Sequence, residues 1–189
     1  MPRKLSVFNL TTLDGFFEGT HREIDWHNVD GEFNQFAEQY TIEADILLFG
    51  RKTYEMMVRW WPTQEAITSD PIIANIMNSK PKIVFSRTLT KVDWNNTTLI
   101  QKNIANEVSR LKQQPGNKLM LLGSSDVAVE LMRHHLIDEF NFMINPLLLG
   151  NGKLIYQGIS EPYPLKLIQS KIFKSGNVLL TYIPQPQHS

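Results

Sequence analysis

The chain contains no cysteine. Disulfides, thiolate metal sites and a cysteine nucleophile are excluded at once, and the composition suits a reducing compartment. Excess charge is also missing: lysine plus arginine and aspartate plus glutamate number 19 each. Proteins that mainly serve nucleic acid or anionic membranes carry a basic surplus, so neither is an expected partner. Any basic feature must be local. No apolar run approaches the roughly 20 residues of a membrane-spanning helix. The opening MPRKLSVFNL has a short basic start, but Asn9 breaks its apolar run and no small-residue cleavage site follows. It is read as part of the folded protein and not as a signal peptide, and the expected address is the cytoplasm. Internal repeats, low-complexity tracts and long linkers are missing too.

What is present is ordinary for a globular protein. The 189 residues are 42% hydrophobic and 20% charged, enough to bury a core without staples. One domain is expected over residues 1–184. The polar, proline-rich end, residues 185–189, is expected to be a flexible tail.

Three segments share one plan. ILLF (46–49) runs into Gly50 and a helix-like stretch; KIVF (82–85) runs into Ser86 and Arg87; LMLL (119–122) runs into Gly123, Ser124, Ser125 and another helix-like stretch. Short continuous apolar runs suit strands buried on both faces of a parallel sheet. Phe33, Phe36, Ala37 and Tyr40 recur at helical spacing. Asp70 and Pro71 place a cap and a first-turn proline before Ile72, Ile73, Ile76 and Met77. Ile104, Val108 and Leu111 form a further stripe, as do Val127, Ala128, Leu131 and Met132. KLSVFNL is a strand, and LKLIQSKIF meets VLLTYI across KSGN as a hairpin. The expected fold is α/β: a mostly parallel central sheet with antiparallel C-terminal strands and helices on both faces.

Ligands of open α/β sheets bind at the carboxyl ends of the strands. Those ends carry Gly50, Arg51, Lys52 and Thr53, then Ser86 and Arg87, then Gly123, Ser124 and Ser125. Helix N-termini and hydroxyls suit phosphate oxygens, and arginine grips a phosphate bidentately. One such turn would be explained by solvated cations. Three together fit an extended ligand with several anionic groups, such as a dinucleotide. A P-loop is excluded, because Asp45 and Arg51 stand where its first glycine and its lysine belong. No G-x-G-x-x-G follows a strand.

These residues resemble a known superfamily. FGRKTYE resembles the G-R-x-T-[WY]-E segment of dihydrofolate reductases, and IVFSR their next strand and turn. The stretch LLGSSDVAVELMRHHLIDEFNFMINPLLLGNGKLIY is similar to the reductase domain of the bacterial riboflavin-biosynthesis deaminase–reductase and its stand-alone relatives. SVFNLTTLDGFFEG resembles their first strand and S/T-x-D-G turn. The resemblance implies a dihydrofolate-reductase-like fold, NADPH as cofactor and a homodimer. It implies that Arg51, Arg87 and Ser86 face the 2′-phosphate and adenine end, with Lys52 beside them. Gly50 and Thr53 then lie near the phosphates, and Gly123, Ser124 and Ser125 line the pyrophosphate or nicotinamide stretch. Dihydrofolate reductases place two glycines here, joined by a cis peptide. Ser124 in the second place makes that geometry costlier, by roughly 3 kcal/mol for a non-proline bond.

The implied activity is hydride transfer from NADPH to a small planar substrate, pterin-like or pyrimidine-like, with water or Asp14 as proton donor. The rival is a binding module with the same fold and no turnover. Folate reduction itself is not expected, because Asp30 and Glu32 do not clearly face a pocket. Asp14–Gly15 is a turn by default, and Ser125–Asp126 is explained by a helix cap, with Asp126 repelling a phosphate. His21, Asp25 and His27 match no metal-binding spacing, and no metal is expected. Trp60–Trp61 could wall a pocket, meet a partner or close the core. The two glycines of LLLGNGK read as a plain turn.

Overall fold

A computed structural model describes residues 1–185; of the expected tail, 186–189 lie outside the described residues. The first elements are β1 (Lys4–Thr12), β2 (Phe16–Glu18), α1 (Gly31–Ile42), β3 (Ala44–Gly50), α2 (Arg51–Trp60), α3 (Gln64–Ser69) and α4 (Pro71–Ser79). Next come β4 (Lys82–Phe85), β5 (Thr97–Ile100), α5 (Ile104–Gln113), β6 (Lys118–Leu122) and α6 (Ser125–Arg133). The last are β7 (Glu139–Asn145), β8 (Lys153–Leu154), β9 (Leu165–Ile172) and β10 (Val178–Pro184).

Eight strands form one sheet in the order β5-β4-β3-β6-β1-β7-β10-β9, and β2 pairs with β8 in a separate ribbon. The six strands from β5 to β7 run parallel, so their carboxyl ends share one edge. β10 and β9 follow antiparallel. The expected α/β architecture is therefore present.

Strand pleating divides the apolar residues between the two faces. Leu48, Leu5, Val7, Leu119 and Leu121 pack under α5 and α6, against Val108, Leu111, Ala128 and Leu131. Leu47, Phe49, Val84 and Met120 face the other way, against Tyr54 of α2 and Ile73 and Met77 of α4. Phe8, Phe33, Met143 and Phe173 close the core beside α1. Burial on both faces is why these strands read as unbroken apolar runs.

The caps follow their residue types. Asp30 accepts from the Phe33 N–H at 2.8 Å, and Asp70 from the Ile73 N–H at 3.1 Å, with Pro71 in the first turn of α4. Trp61 packs into the core and Trp60 stays 40% exposed, so the core reading fits the first and not the second. β7, β5, the β2–β8 ribbon and α3 add to the elements expected from the sequence. β7 was hidden by its polar residues: Asn141 and Asn145 are buried, and Thr181 donates to Asn141 Oδ1 at 2.8 Å.

Candidate active site

The three turns read from the sequence lie on consecutive strands. β4, β3 and β6 are neighbours, so Ser86, Gly50 and Gly123 stand in line at the carboxyl edge. Two turns are joined by one atom. Ser124 Oγ accepts from the Gly50 N–H at 2.7 Å, and its proton lies within reach of Thr53 Oγ1 at 2.9 Å and the Leu122 carbonyl at 3.1 Å. Gly123 and Ser124 both adopt left-handed backbone, at φ 55 and 60, and no peptide bond among the described residues is cis. Gly50 has an ordinary φ of −80. Space favours glycine there: a Cβ would stand 3.1 Å from Val127 Cγ2 and 3.2 Å from Ser124 Oγ, so these side chains would have to shift slightly.

The helix starts on this edge differ from the others. α1, α3 and α4 have side-chain caps from Asp30, Thr63 and Asp70. α2, α5 and α6 have no side-chain cap, and they are the helices that follow β3, β5 and β6. Uncapped first-turn N–H groups with the positive end of the helix dipole form a ready anion site. Ser125, the first residue of α6, adds a hydroxyl that is buried and has no hydrogen-bond partner among the described residues. The structure therefore corrects the reading of Ser125–Asp126 as a cap. Ser124 is the N-cap residue, its oxygen is turned to Gly50, and Ser125 caps nothing.

Positive charge lies along the same line. Arg51 opens α2 and pairs with Glu55 at 3.2 Å. Lys52 and Arg87 are exposed and form no ion pair among the described residues. Arg87 borders a hollow of about 260 Å³ with Gln101, Lys102, Asn103, Glu130 and His134. Gln101 and Lys102 form a fourth polar strand end, after β5, that sequence reasoning missed. The signal was a cation two residues after TTLI, a run whose two threonines keep it from standing out as a buried apolar strand. Ser86 is buried and shapes its own turn: its Oγ accepts from the Thr88 N–H at 3.2 Å and the Leu89 N–H at 3.0 Å.

Asp14 does not suit proton donation. Its carboxylate accepts from the Thr12 hydroxyl at 2.5 Å and from the N–H groups of Leu149 at 3.1 Å and Gly150 at 2.8 Å. The Thr12 bond foremost, then the backbone bonds, hold its pKa below the usual carboxylate range. A carboxylate kept ionised has no proton to give near neutrality. Asp14 instead ties the turn after β1 to the 149–150 loop. Glu32 accepts from the Lys174 N–H at 2.9 Å, so it too serves the backbone. His27 is largely buried, and burial pushes its pKa down to about 4.

Comparison with known proteins places this geometry. The uncharacterized protein YyaP of Bacillus subtilis (strain 168) is 33% identical over 182 residues, covering 95% of this chain and 94% of that one. A second protein of that organism, YwjB, is 25% identical over 187 residues, covering 97% and 99%. The crystal structure of a candidate riboflavin biosynthesis protein from Shewanella sp. PV-4 matches with a TM-score of 0.74 at 24% identity, over 98% of this chain and 99% of that one. The diaminohydroxyphosphoribosylaminopyrimidine deaminase/5-amino-6-(5-phosphoribosylamino)uracil reductase of Thermotoga maritima matches with a TM-score of 0.68 at 14% identity, over 97% of this chain and 57% of that longer one. The model of the RibD C-terminal domain matches residues 3–181. That match spans nearly the whole chain, and the chain belongs to the RibD C-terminal domain family.

Proposed function

We propose that the protein is an NADPH-dependent reductase of a small planar, pterin-like or pyrimidine-like substrate, working as a homodimer in the cytoplasm. One observation carries the reading: the three helix starts without side-chain caps all open from the carboxyl edge of the parallel sheet. Two of them, α2 and α6, are held together by Ser124 Oγ. A ligand with several phosphates along its length suits that edge.

The residues present fit such a cofactor. Gly50, Thr53, Gly123, Ser124 and Ser125 would hold the diphosphate, and the partnerless Ser125 hydroxyl would gain an acceptor. Arg51 and Arg87 would hold the 2′-phosphate, with Lys52 beside them and Ser86 fixing the turn that carries Arg87. When bound, the dihydronicotinamide supplies a hydride. The protein positions the reactants, and water supplies the proton, since Asp14 is held ionised.

The test is a titration with NADPH and then NADH, read by tryptophan quenching. NADPH is expected to bind in the micromolar range with clear preference over NADH. Arg51→Ala and Arg87→Ala should each weaken NADPH by about tenfold and NADH far less, because a charge-assisted phosphate contact is lost. Equal losses for both cofactors would remove the 2′-phosphate assignment, and no binding of either would end the reading.

A second reading, a binding module without turnover, is favoured by the engaged carboxylates. Asp14, Asp30 and Glu32 all accept backbone N–H bonds. NADPH binding without oxidation across oxidised pterins, aminopyrimidine ribosides and simple carbonyls would select it.

A further inference from the structure

We infer that Lys153, on the β2–β8 ribbon, is an additional anion-binding residue of this site, taking a diphosphate oxygen at the start of α6 in exchange for Asp126. The inference rests on the dinucleotide reading above and adds a residue from a different part of the chain.

The ribbon is built to hold Lys153 in place. Phe16 pairs with Leu154 and Glu18 with Lys153. Gly152 has φ 149, and a Cβ on it would stand 2.3 Å from the Glu18 carbonyl oxygen, so only glycine permits the strands to close this tightly. The Ile155 N–H donates to the Gly15 carbonyl at 3.0 Å, continuing the contact beyond the pair. On the other side of the loop, Asp14 fixes the N–H groups of Leu149 and Gly150. The glycines of LLLGNGK thus do more than turn the chain.

From that backbone Lys153 reaches the uncapped helix. Its Nζ lies 2.8 Å from Asp126 Oδ1, in the first turn of α6. The Lys153 side chain is 21% exposed, whereas Asp126 is 72% exposed. The Lys153 side chain is therefore mostly covered while its partner is free to turn to solvent. The ribbon also lies against the preceding turn: Phe17 Cζ is 3.5 Å from where a Cβ on Gly123 would stand. Ser125, which precedes Asp126 in the chain, has a buried hydroxyl without a partner among the described residues.

Lys153 at present meets an exposed carboxylate, and the α6 start that carries this carboxylate has no side-chain cap. A phosphate oxygen suits this end better than the Asp126 carboxylate does, because it accepts from Lys153 and from the uncapped backbone N–H groups of α6 together. The ligand class is a diphosphate, the portion that NADPH and NADH share. Its contribution is thus separable from that of Arg51 and Arg87, which face the portion that differs.

The test measures NADPH and NADH dissociation constants for Lys153→Met, Lys153→Arg and Asp126→Asn. Lys153→Met is expected to weaken both cofactors by about tenfold and leave their ratio unchanged. Lys153→Arg should recover most of the loss. Asp126→Asn removes the competing carboxylate and should tighten both severalfold. If Lys153→Met binds both cofactors as the wild type does, the inference falls and the cofactor reading stands. A loss confined to NADPH would also overturn it. If Lys153→Met fails to fold, as judged by thermal denaturation, Asp126→Asn decides alone: unchanged or weakened binding overturns the exchange. Wild-type protein that binds neither cofactor ends both readings together.

Discussion

Ser124 concentrates the site on one oxygen. It is 8% exposed, sits in left-handed backbone, and joins strand ends 74 residues apart in sequence. A serine there costs about 1–2 kcal/mol relative to a right-handed position. The hydroxyl offsets this by satisfying the buried Gly50 N–H. Ser124→Ala keeps the backbone cost and removes the acceptor. Urea denaturation should show a loss of about 1–3 kcal/mol, the penalty of leaving one buried donor unpaired. NADPH affinity should fall as well, because the α2 and α6 starts are no longer tied. Ser124→Gly should cost less stability than Ser124→Ala, since glycine relieves the backbone term. Equal stability of wild type and Ser124→Ala would show that the bridge contributes nothing.

At the scale of elements, capping divides the helices into those that serve the fold and those left open. α4 is closed at both ends: Asp70 caps its start, and Lys82 crosses back to its end. Lys82 is 1% exposed, yet its Nζ donates to the carbonyls of Met77 at 2.9 Å and Lys80 at 2.8 Å, and lies 4.7 Å from the Trp94 ring. Burial pushes its pKa down to about 8. The unfolded chain then holds this proton more tightly than the folded one. Stability should therefore rise from pH 8 toward 10, by at most about 1.4 kcal/mol per unit. Tyr40 and Tyr156 are pushed the opposite way by burial and would mask the effect at higher pH. The check is the difference between wild type and Lys82→Met in chemical denaturation at pH 7, 8, 9 and 10. The gain should be absent from the variant, and parallel curves would reject the assignment. None of this was legible in the sequence, where Lys82 reads as the polar residue before a strand. What was legible follows a simple rule. β3, β4 and β6 stand out because both faces are apolar, α1 because its apolar residues recur at helical spacing, and α4 because an aspartate cap and a proline precede it. β7 did not, because the buried Asn141 and Asn145 depend on partners distant in sequence, Thr181 and Asn28 among them. The polar turns were visible as residue types, but the Ser124 bridge needs β3 and β6 to be neighbours, and Lys153 needs the ribbon.

At the scale of the molecule, the parallel core carries the proposed cofactor edge while the antiparallel end leaves a strand open. Among the described residues β9 pairs only with β10, and it lies at the margin of the sheet. Leu167, Ile168 and Ile172 are 48%, 49% and 79% exposed there. A long apolar edge is a template for further pairing unless it is blunted. Lys166 and Lys171 flank it, but Lys171 is drawn inward, with Nζ 3.6 Å from Glu32 and 4.4 Å from the Phe173 ring. A second copy on this edge is the simplest cover, since a two-fold axis presents the same strand to itself. Sedimentation velocity should show twice the chain mass, and Leu167→Asp with Ile172→Asp should shift it to a single chain. A dimer that survives both substitutions lies on another surface, and a monomeric wild type removes the homodimer. The variant also separates assembly from the site. Four strand spacings divide β9 from β6, about 19 Å, and every residue assigned to the cofactor comes from the edge between β4 and α6 or from the ribbon. The monomeric variant should therefore bind NADPH as tightly as the dimer, and a parallel loss of affinity would mean that the partner subunit completes the site.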